Sequence, residues 1–443
     1  MTEIRTIGLE TFLPCTTLLS VFFDMKYSNA KFLGTFRLKY TKVLCLKSIF
    51  IFLISSCGYS NSPQQEEKEL VVLEDQIEQV ASVSVGAEQT TDYLPLLEDK
   101  KVGIVGNQSS LIGQTHLVDS LLTLDVNVKK VFSPEHGFRG KADAGEHVSS
   151  EKDQKTGLPI VSLYGKNKKP TQDQLKGLDI LVFDIQDVGV RFYTYISTLH
   201  YVMEACAEAN IPLIVLDRPN PNGHYVDGPV LDMKYKSFVG MHPVPIVYGM
   251  TIGEYGQMIN GEGWLEKNYT CDLTVIPCKG YDHDTPYSLP VPPSPNLRSD
   301  VSIQLYPSLC ILEATTVSVG RGTDGPFERY GHPDFPEMDF KFMPKSGPGS
   351  KSPKHMNVKC YGYNMGDAPR RETKFDLNFL LNSSKLLKGK TFIDRSRMFN
   401  LLSGNAELAE QLKVGKSEED IRSSWEEKLN AFKLIREKYL IYE

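Results

Sequence analysis

The 443-residue sequence predicts an α/β fold: an open, doubly wound parallel sheet followed by a second, smaller α+β domain. Three observations predict it. From about residue 100, short apolar runs alternate with amphipathic stretches, the pattern of βαβ units. The runs are apolar on both alternating sets of positions, as parallel strands covered on two sides must be. After about residue 268 the alternation weakens and proline- and glycine-rich loops appear at 286–295 and 344–354.

The chain is longer than one ordinary core, so two domains are expected. It divides as 1–57, an export signal; 58–89, a polar tether and lead-in; 90–267, the sheet domain; and 268–443, the α+β domain. With 41% hydrophobic and 23% charged residues it is globular in composition. A net charge of -6 gives it no basic footprint for nucleic acid. Eight cysteines include no C-x-x-C pair. Cys271 and Cys278 flank the extended run Asp272–Ile276, whose ends would lie roughly 20 Å apart, too far for a disulfide. Neither a metal site nor a disulfide framework is expected.

At the N-terminus Lys39, Lys42 and Lys47 form a basic region and Ser48 to Ile54 a short apolar one. Ile54-Ser-Ser-Cys57 then resembles a bacterial lipobox, with Cys57 as the lipidated residue. The apolar run is far shorter than the roughly 20 residues a spanning helix needs, so a signal peptide fits. Residues before the basic region have no part in this scheme, and Met25 is a plausible true start.

Strands are expected at Val102–Val105, Val128–Phe132, Leu178–Phe183 and Pro212–Leu216, with a clear helix at Ile196–Ala209. Ser417 to Tyr439 reads as one amphipathic helix with Ser417 as its cap. Each strand runs into polar residues: Asn107-Gln108, Ser133-Pro-Glu-His136, Asp184-Ile-Gln-Asp187 and Asp217-Arg-Pro-Asn220. Open parallel sheets bind ligands beyond these carboxyl ends.

Glu135 is the leading candidate. A carboxylic acid partly desolvated in such a crevice could donate a proton to a glycosidic oxygen; its alternative is an ion pair with Arg139 or another arginine. Asp184 and Asp187 are candidates for a second carboxylate. Asp217 and Arg218 could line the site or pair with each other. Glu254 could line it or complete a capping box with Thr251. Glu313, in an apolar stretch, needs a partner that Arg321 could supply, or both could line the site. The run Ser318–Phe327 is glycine-rich without a P-loop ending. Arg191 and Arg321 are suited to a carboxylate ligand, with a salt bridge to a nearby aspartate as the alternative for Arg191. Tyr193 and Tyr195 could stack on a sugar or belong to the core. No histidine pair has metal-ligand spacing, and there is no nucleophile elbow.

Seven ordered segments carry a resemblance: Ser133-Pro-Glu-His-Gly-Phe-Arg-Gly140, Leu163-Tyr-Gly165, Phe183 to Tyr195, Leu216-Asp-Arg-Pro-Asn-Pro221, Gly249 to Glu254, Pro293-Ser-Pro-Asn296 and Gly320-Arg-Gly-Thr323. Together they resemble the family of NamZ-like exo-β-N-acetylmuramidases, the YbbC group. The resemblance implies a Rossmann-like domain joined to a smaller one, with the site in the cleft between them. It implies release of N-acetylmuramic acid from non-reducing ends of peptidoglycan fragments, with Glu135 as the acid and no cofactor. It carries His136, Asn220, Asn296 and Thr323 into the candidate site beside the residues above, and Asn107 joins them from its place at the end of the first strand. The expected setting is the bacterial cell envelope, periplasmic face or outer membrane, with membrane contact only through the lipid anchor. The alternative is a non-catalytic, envelope-anchored muropeptide-binding protein.

Overall fold

In the computed structural model, residues 83–135, 137–139, 152–367 and 370–442 are described. The signal and lipobox segment with Cys57, most of the tether, and His136 lie outside them.

Six strands form one sheet: β1 (Val102–Gly106), β2 (Val128–Ser133), β3 (Ile160–Ser162), β4 (Ile180–Asp184), β5 (Leu213–Leu216) and β6 (Leu273–Ile276). Their order is β3-β2-β1-β4-β5-β6 and every pairing is parallel. This is the doubly wound order in which the chain winds outward in both directions from β1 and β4, leaving a crevice at their carboxyl ends. The four expected strands are present. β3 was not anticipated, and β6 takes the sheet past residue 267. β3 escapes an alternation count because it is a short edge strand with half-exposed positions, whereas β6 is the extended run read at Asp272–Ile276.

Side chains alternate between two cores. Val105, Leu181, Phe183 and Val215 enter the larger one; Val102, Ile104, Val182 and Ile214 enter the smaller. Helices α1 (Thr90–Leu97) and α2 (Leu117–Thr123) cover the smaller core. After the single turn α3 (Gln172–Leu175), helices α4 (Tyr195–Ala209) and α5 (Ile252–Gly261) cover the larger. Coverage of both faces is why the central strands β1, β4 and β5 are nearly all apolar. Helix α4 matches the expected span and ends at Asn210, which takes the left-handed conformation its short amide tolerates.

Helix α6 (Asp300–Leu309) leads into the smaller C-terminal domain. Its sheet is antiparallel: β7 (Arg329–His332), β8 (Lys341–Phe342) and β9 (Cys360–Asn364), ordered β8-β9-β7. Helices α7 (Asn378–Leu386), α8 (Ser396–Ser403) and α9 (Glu407–Val414) follow. The helix expected over Ser417 to Tyr439 is broken into α10 (Glu418–Ser423) and α11 (Glu426–Arg436). Ser417 does cap it, accepting from the Asp420 N–H at 3.1 Å. The break at Ser424-Trp425 lets the indole bury edge-on to Phe375, with ring centroids 6.3 Å apart. Burying so large a side chain outweighs the loss of one helical turn. Cys271 and Cys278 are both free thiols, one on each side of β6.

Candidate active site

The turn after β1 is built by Asn107, whose Oδ1 accepts from the Ser109 N–H (2.9 Å) and hydroxyl (2.6 Å). Its Nδ2 donates to the Tyr195 hydroxyl at 3.0 Å. The turn therefore carries no glycine-rich phosphate cradle, although the strand order is that of dinucleotide-binding sheets.

At the tip of β2, Gly137 donates its N–H to the Pro134 carbonyl at 3.2 Å with φ +77°, closing a tight turn. A positive φ at that position suits glycine, and the turn presents Glu135 half-buried at its corner. Arg139 is committed elsewhere, with bonds of 2.8 and 2.7 Å to Asp153 and 3.3 and 3.1 Å to Asp119. The expected alternative of a Glu135–Arg139 pair is absent. Tyr164 is a neighbour of Glu135: burial first, then the charge of Glu135 and a hydrogen bond to it, push the phenol up to about 12.

Glu135 and Thr194 stand between two hollows. The inner one, about 100 Å3, is walled by Tyr193, Tyr195, Tyr306, Phe327 and Arg321 together with Ser294 and Leu297. Its aromatic walls meet edge to face, with centroids 4.9 Å apart for Tyr193–Tyr195 and 5.0 Å for Tyr306–Phe327. The Tyr193 hydroxyl donates to the Pro293 carbonyl at 2.8 Å, and Gln108 reaches the same carbonyl at 3.2 Å. The outer hollow, about 480 Å3, is walled by Tyr164, Lys168, Phe238 and Val239. A larger hollow of about 890 Å3 surrounds Asp99, Asp179 and Pro212 at the amino ends of the strands. Ligands of open parallel sheets take the other edge.

Arg321 is the cation of the inner hollow. Its Nε and Nη2 bond Glu313 at 2.5 and 2.8 Å, and the guanidinium lies 5.0 Å from the Phe327 ring centre. Both partners are about a quarter exposed, 26% and 27%, and Nη1 takes no part in the pair. Burial works against the charge, and Glu313 more than offsets it, raising the guanidinium pKa. Phe327 is fully buried at φ +60°, a conformation that bulky residues rarely adopt. Such strain, of order 1–3 kcal/mol, gathers at ligand sites.

The other expected site residues are held in internal bonds. Asp184 and Arg218 form a buried bidentate pair at 2.5 and 2.9 Å, with burial raising the carboxyl and the guanidinium opposing it. Asp184 is therefore not a hollow-lining acid, and Arg218 pairs with it rather than with Asp217. Asp217 instead accepts from Thr251 (2.7 Å), Gly253 (2.8 Å) and Tyr442 (2.6 Å). Arg191 is fully buried and donates to the carbonyls of Pro229 (2.7 Å), Val244 (2.8 Å) and Leu402 (2.8 Å). It reads no ligand carboxylate, and it pairs with no aspartate either. Burial pushes it down to about 9.

Glu254 completes the capping box with Thr251 (2.8 Å), accepts from the Ile441 N–H (2.8 Å) and contacts His283 (2.9 Å). Asn220 bonds the Met250 carbonyl, Asn296 the Gly349 carbonyl (each 2.8 Å) and Thr323 the Gly320 carbonyl (2.6 Å), so each shapes a loop. Asp187 is 5% exposed and bonds Tyr248 and the Gly189 N–H (2.7 Å), while its Oδ1 has no partner. Burial pushes it up to about 7.

Two family models cover this chain: the N-terminal part of the exo-β-N-acetylmuramidase NamZ over residues 102–301 and its C-terminal part over 304–442. The chain belongs to the NamZ family. The peptidoglycan β-N-acetylmuramidase NamZ of Bacillus subtilis (strain 168) is 39% identical over 374 residues, 79% of this chain and 89% of the relative. Crystal structures of two DUF1343 family proteins from Bacteroides fragilis superpose with TM-scores of 0.76 and 0.69, at 46% and 30% identity. Each comparison covers 82% of this chain and 99% of the other. The two NamZ parts meet at helix α6, so the loop carrying Ser294 belongs to the first and Arg321 to the second. The inner hollow thus draws its walls from both.

Tyr164, Thr194, Tyr306 and Phe327 were not singled out in the sequence as site residues. Tyr164 and Thr194 fall inside family-like segments, and Phe327 ends the glycine-rich run, so the segments marked them although no side-chain chemistry did.

Proposed function

We propose that this chain is an exo-acting glycoside hydrolase that releases N-acetylmuramic acid from the non-reducing ends of peptidoglycan fragments. The observation that carries the reading is a half-buried carboxyl, Glu135, facing one closed hollow together with a single guanidinium, Arg321. Muramic acid differs from glucosamine by a lactyl carboxylate. A planar guanidinium with a nitrogen to spare is matched to that group. The inner hollow has room for roughly three waters at about 30 Å3 each, which suits the lactyl arm rather than a whole pyranose. The ring then lies at the threshold beside Glu135 and Thr194.

Glu135 donates its proton to the glycosidic oxygen as the bond to C1 breaks. Tyr164 orients that carboxyl through its hydroxyl. Among the described residues lining the inner hollow, Glu135 is the one carboxylate. That lining favours water or the substrate's own 2-acetamido group over a carboxylate for meeting the oxocarbenium-like centre. The lipobox-like Ile54–Cys57 supports an envelope-anchored setting for this activity, and among the described residues no helix is long and apolar enough to cross a membrane.

The test is release of nitrophenol from 4-nitrophenyl β-N-acetylmuramide. On the disaccharide of N-acetylmuramic acid β-1,4-linked to N-acetylglucosamine, whose leaving oxygen needs a proton, Glu135→Gln, if folded, should lose about 10²–10⁴-fold in kcat. Turnover near that of the unmodified enzyme would remove Glu135 from the chemistry. Saturable binding with no release by the unmodified chain would make it a muropeptide receptor.

A further inference from the structure

The outer hollow has no assigned role. It is assembled from three segments, two of which rest on helix α4. The segment after β3 is fixed by Asn167, which donates to the Ser162 carbonyl at 2.9 Å, and by Lys169, paired with Glu204 and Glu208 on α4. The segment at 237–240 is fixed by the Ser197 hydroxyl of α4, which donates to the Phe238 carbonyl at 2.8 Å. Phe238 also stacks on Tyr201 of α4, with centroids 6.2 Å apart. The third wall is the turn bearing Glu135. At about 480 Å3 the hollow is of ligand size. It shares Glu135 and Thr194 with the inner hollow.

An acid that protonates a glycosidic oxygen must have the cleaved sugar on one side and the departing group on the other. The inner side has seven buried walls and the guanidinium fork, so it forms the closed end. The outer side opens past the exposed Gly165. Its one cation, Lys168, lies 4.3 Å from the Phe238 ring centre, engaged with an aromatic face rather than presented as a fork.

We propose that the outer hollow binds the leaving group of the substrate, an uncharged N-acetylhexosamine on the reducing-end side of the scissile bond. Tyr164, Phe238 and Val239 contact its apolar faces, and Lys168 donates to its hydroxyl or acetamide oxygens. This inference rests on the hydrolase reading above.

Val239→Trp fills the hollow, and Lys168→Ala removes its donor at a partly exposed position. Each full-length variant is assayed on the disaccharide of N-acetylmuramic acid β-1,4-linked to N-acetylglucosamine and on 4-nitrophenyl β-N-acetylmuramide, whose activated aglycone departs with little help. The proposal expects kcat/KM on the disaccharide to fall about tenfold more than on the nitrophenyl substrate. Equal falls on both substrates, or no fall on either, overturn it. So does loss of the muramyl-over-glucosaminyl preference in Lys168→Ala, which would put the lactyl arm in the outer hollow. An unmodified enzyme that cleaves neither substrate overturns the hydrolase reading itself, a result separable from a change confined to the variants.

Discussion

Two arginines with similar sequence surroundings end in opposite roles, and the difference lies in what surrounds each fork. Arg191 gives its guanidinium to three buried carbonyls; Arg321 gives two nitrogens to Glu313 and keeps one toward the hollow. Gly404 shows how tightly Arg191 is enclosed, since a Cβ there would lie 2.7 Å from its Nη2. Arg191→Ala should leave those carbonyls unpaired at roughly 1–3 kcal/mol each, a large part of a typical 5–15 kcal/mol stability. It should show as a low Tm or insoluble protein. Arg321→Ala should instead stay folded and lose the preference for muramyl over glucosaminyl substrates; an unchanged preference would end its assignment. Asp187 makes a further prediction. Its carboxyl is raised by burial to about 7, so the folded state holds the proton more tightly than the unfolded state does. Its contribution to stability is full below about pH 4 and is lost as pH rises to about 7, a change of order 4 kcal/mol. Asp187→Asn keeps an acceptor for Tyr248 but cannot ionise, so Tm measured from pH 4 to 8 should decline less steeply than in the unmodified protein. Identical slopes would refute the shift.

The strands were the legible elements, because a parallel strand buried on both faces must be apolar at every position. The tips of β1, β2, β4 and β5 were correctly read as polar, but polarity at a tip has two uses that look alike in sequence. Glu135 faces a hollow. Asp184, Asp217 and Arg218 close internal bonds to partners 34 to 225 residues away, a separation no local pattern reports. The capping box at Thr251–Glu254 was legible because both of its partners lie within one turn. The break between α10 and α11 was not legible, since it answers to the burial of Trp425 against Phe375 rather than to any helix-stopping residue. The glycine-rich run and the suitability of its Arg321 for a carboxylate were legible, but the positive φ of Phe327 was not foreseen. Phe327→Gly would relieve the strain and delete a wall. Substrate affinity should fall severalfold through KM, while stability changes by less than the roughly 3–5 kcal/mol typical of losing a buried phenylalanine. A full-sized loss of stability would mean the conformation is unstrained.

Across the whole molecule, the two NamZ parts share one hydrophobic core and are tied together by distant hydrogen bonds. Tyr442 donates to Asp217 at 2.6 Å and accepts from the Cys278 N–H at 2.9 Å. Tyr442→Phe should cost about 1–3 kcal/mol through the orphaned N–H. Thermal unfolding would read the loss, with kcat on the nitrophenyl substrate unchanged because no wall of either hollow moves.

The bonds from Arg191 to Leu402 and from Tyr442 to Asp217 bridge 211 and 225 positions. Closures that long are slow, and nothing rewards them until they are complete. A growing chain that has made only its first half therefore holds a guanidinium and a carboxylate with their final partners still unsynthesised. Such a half-made product is a natural client for chaperones and a ready target for proteases.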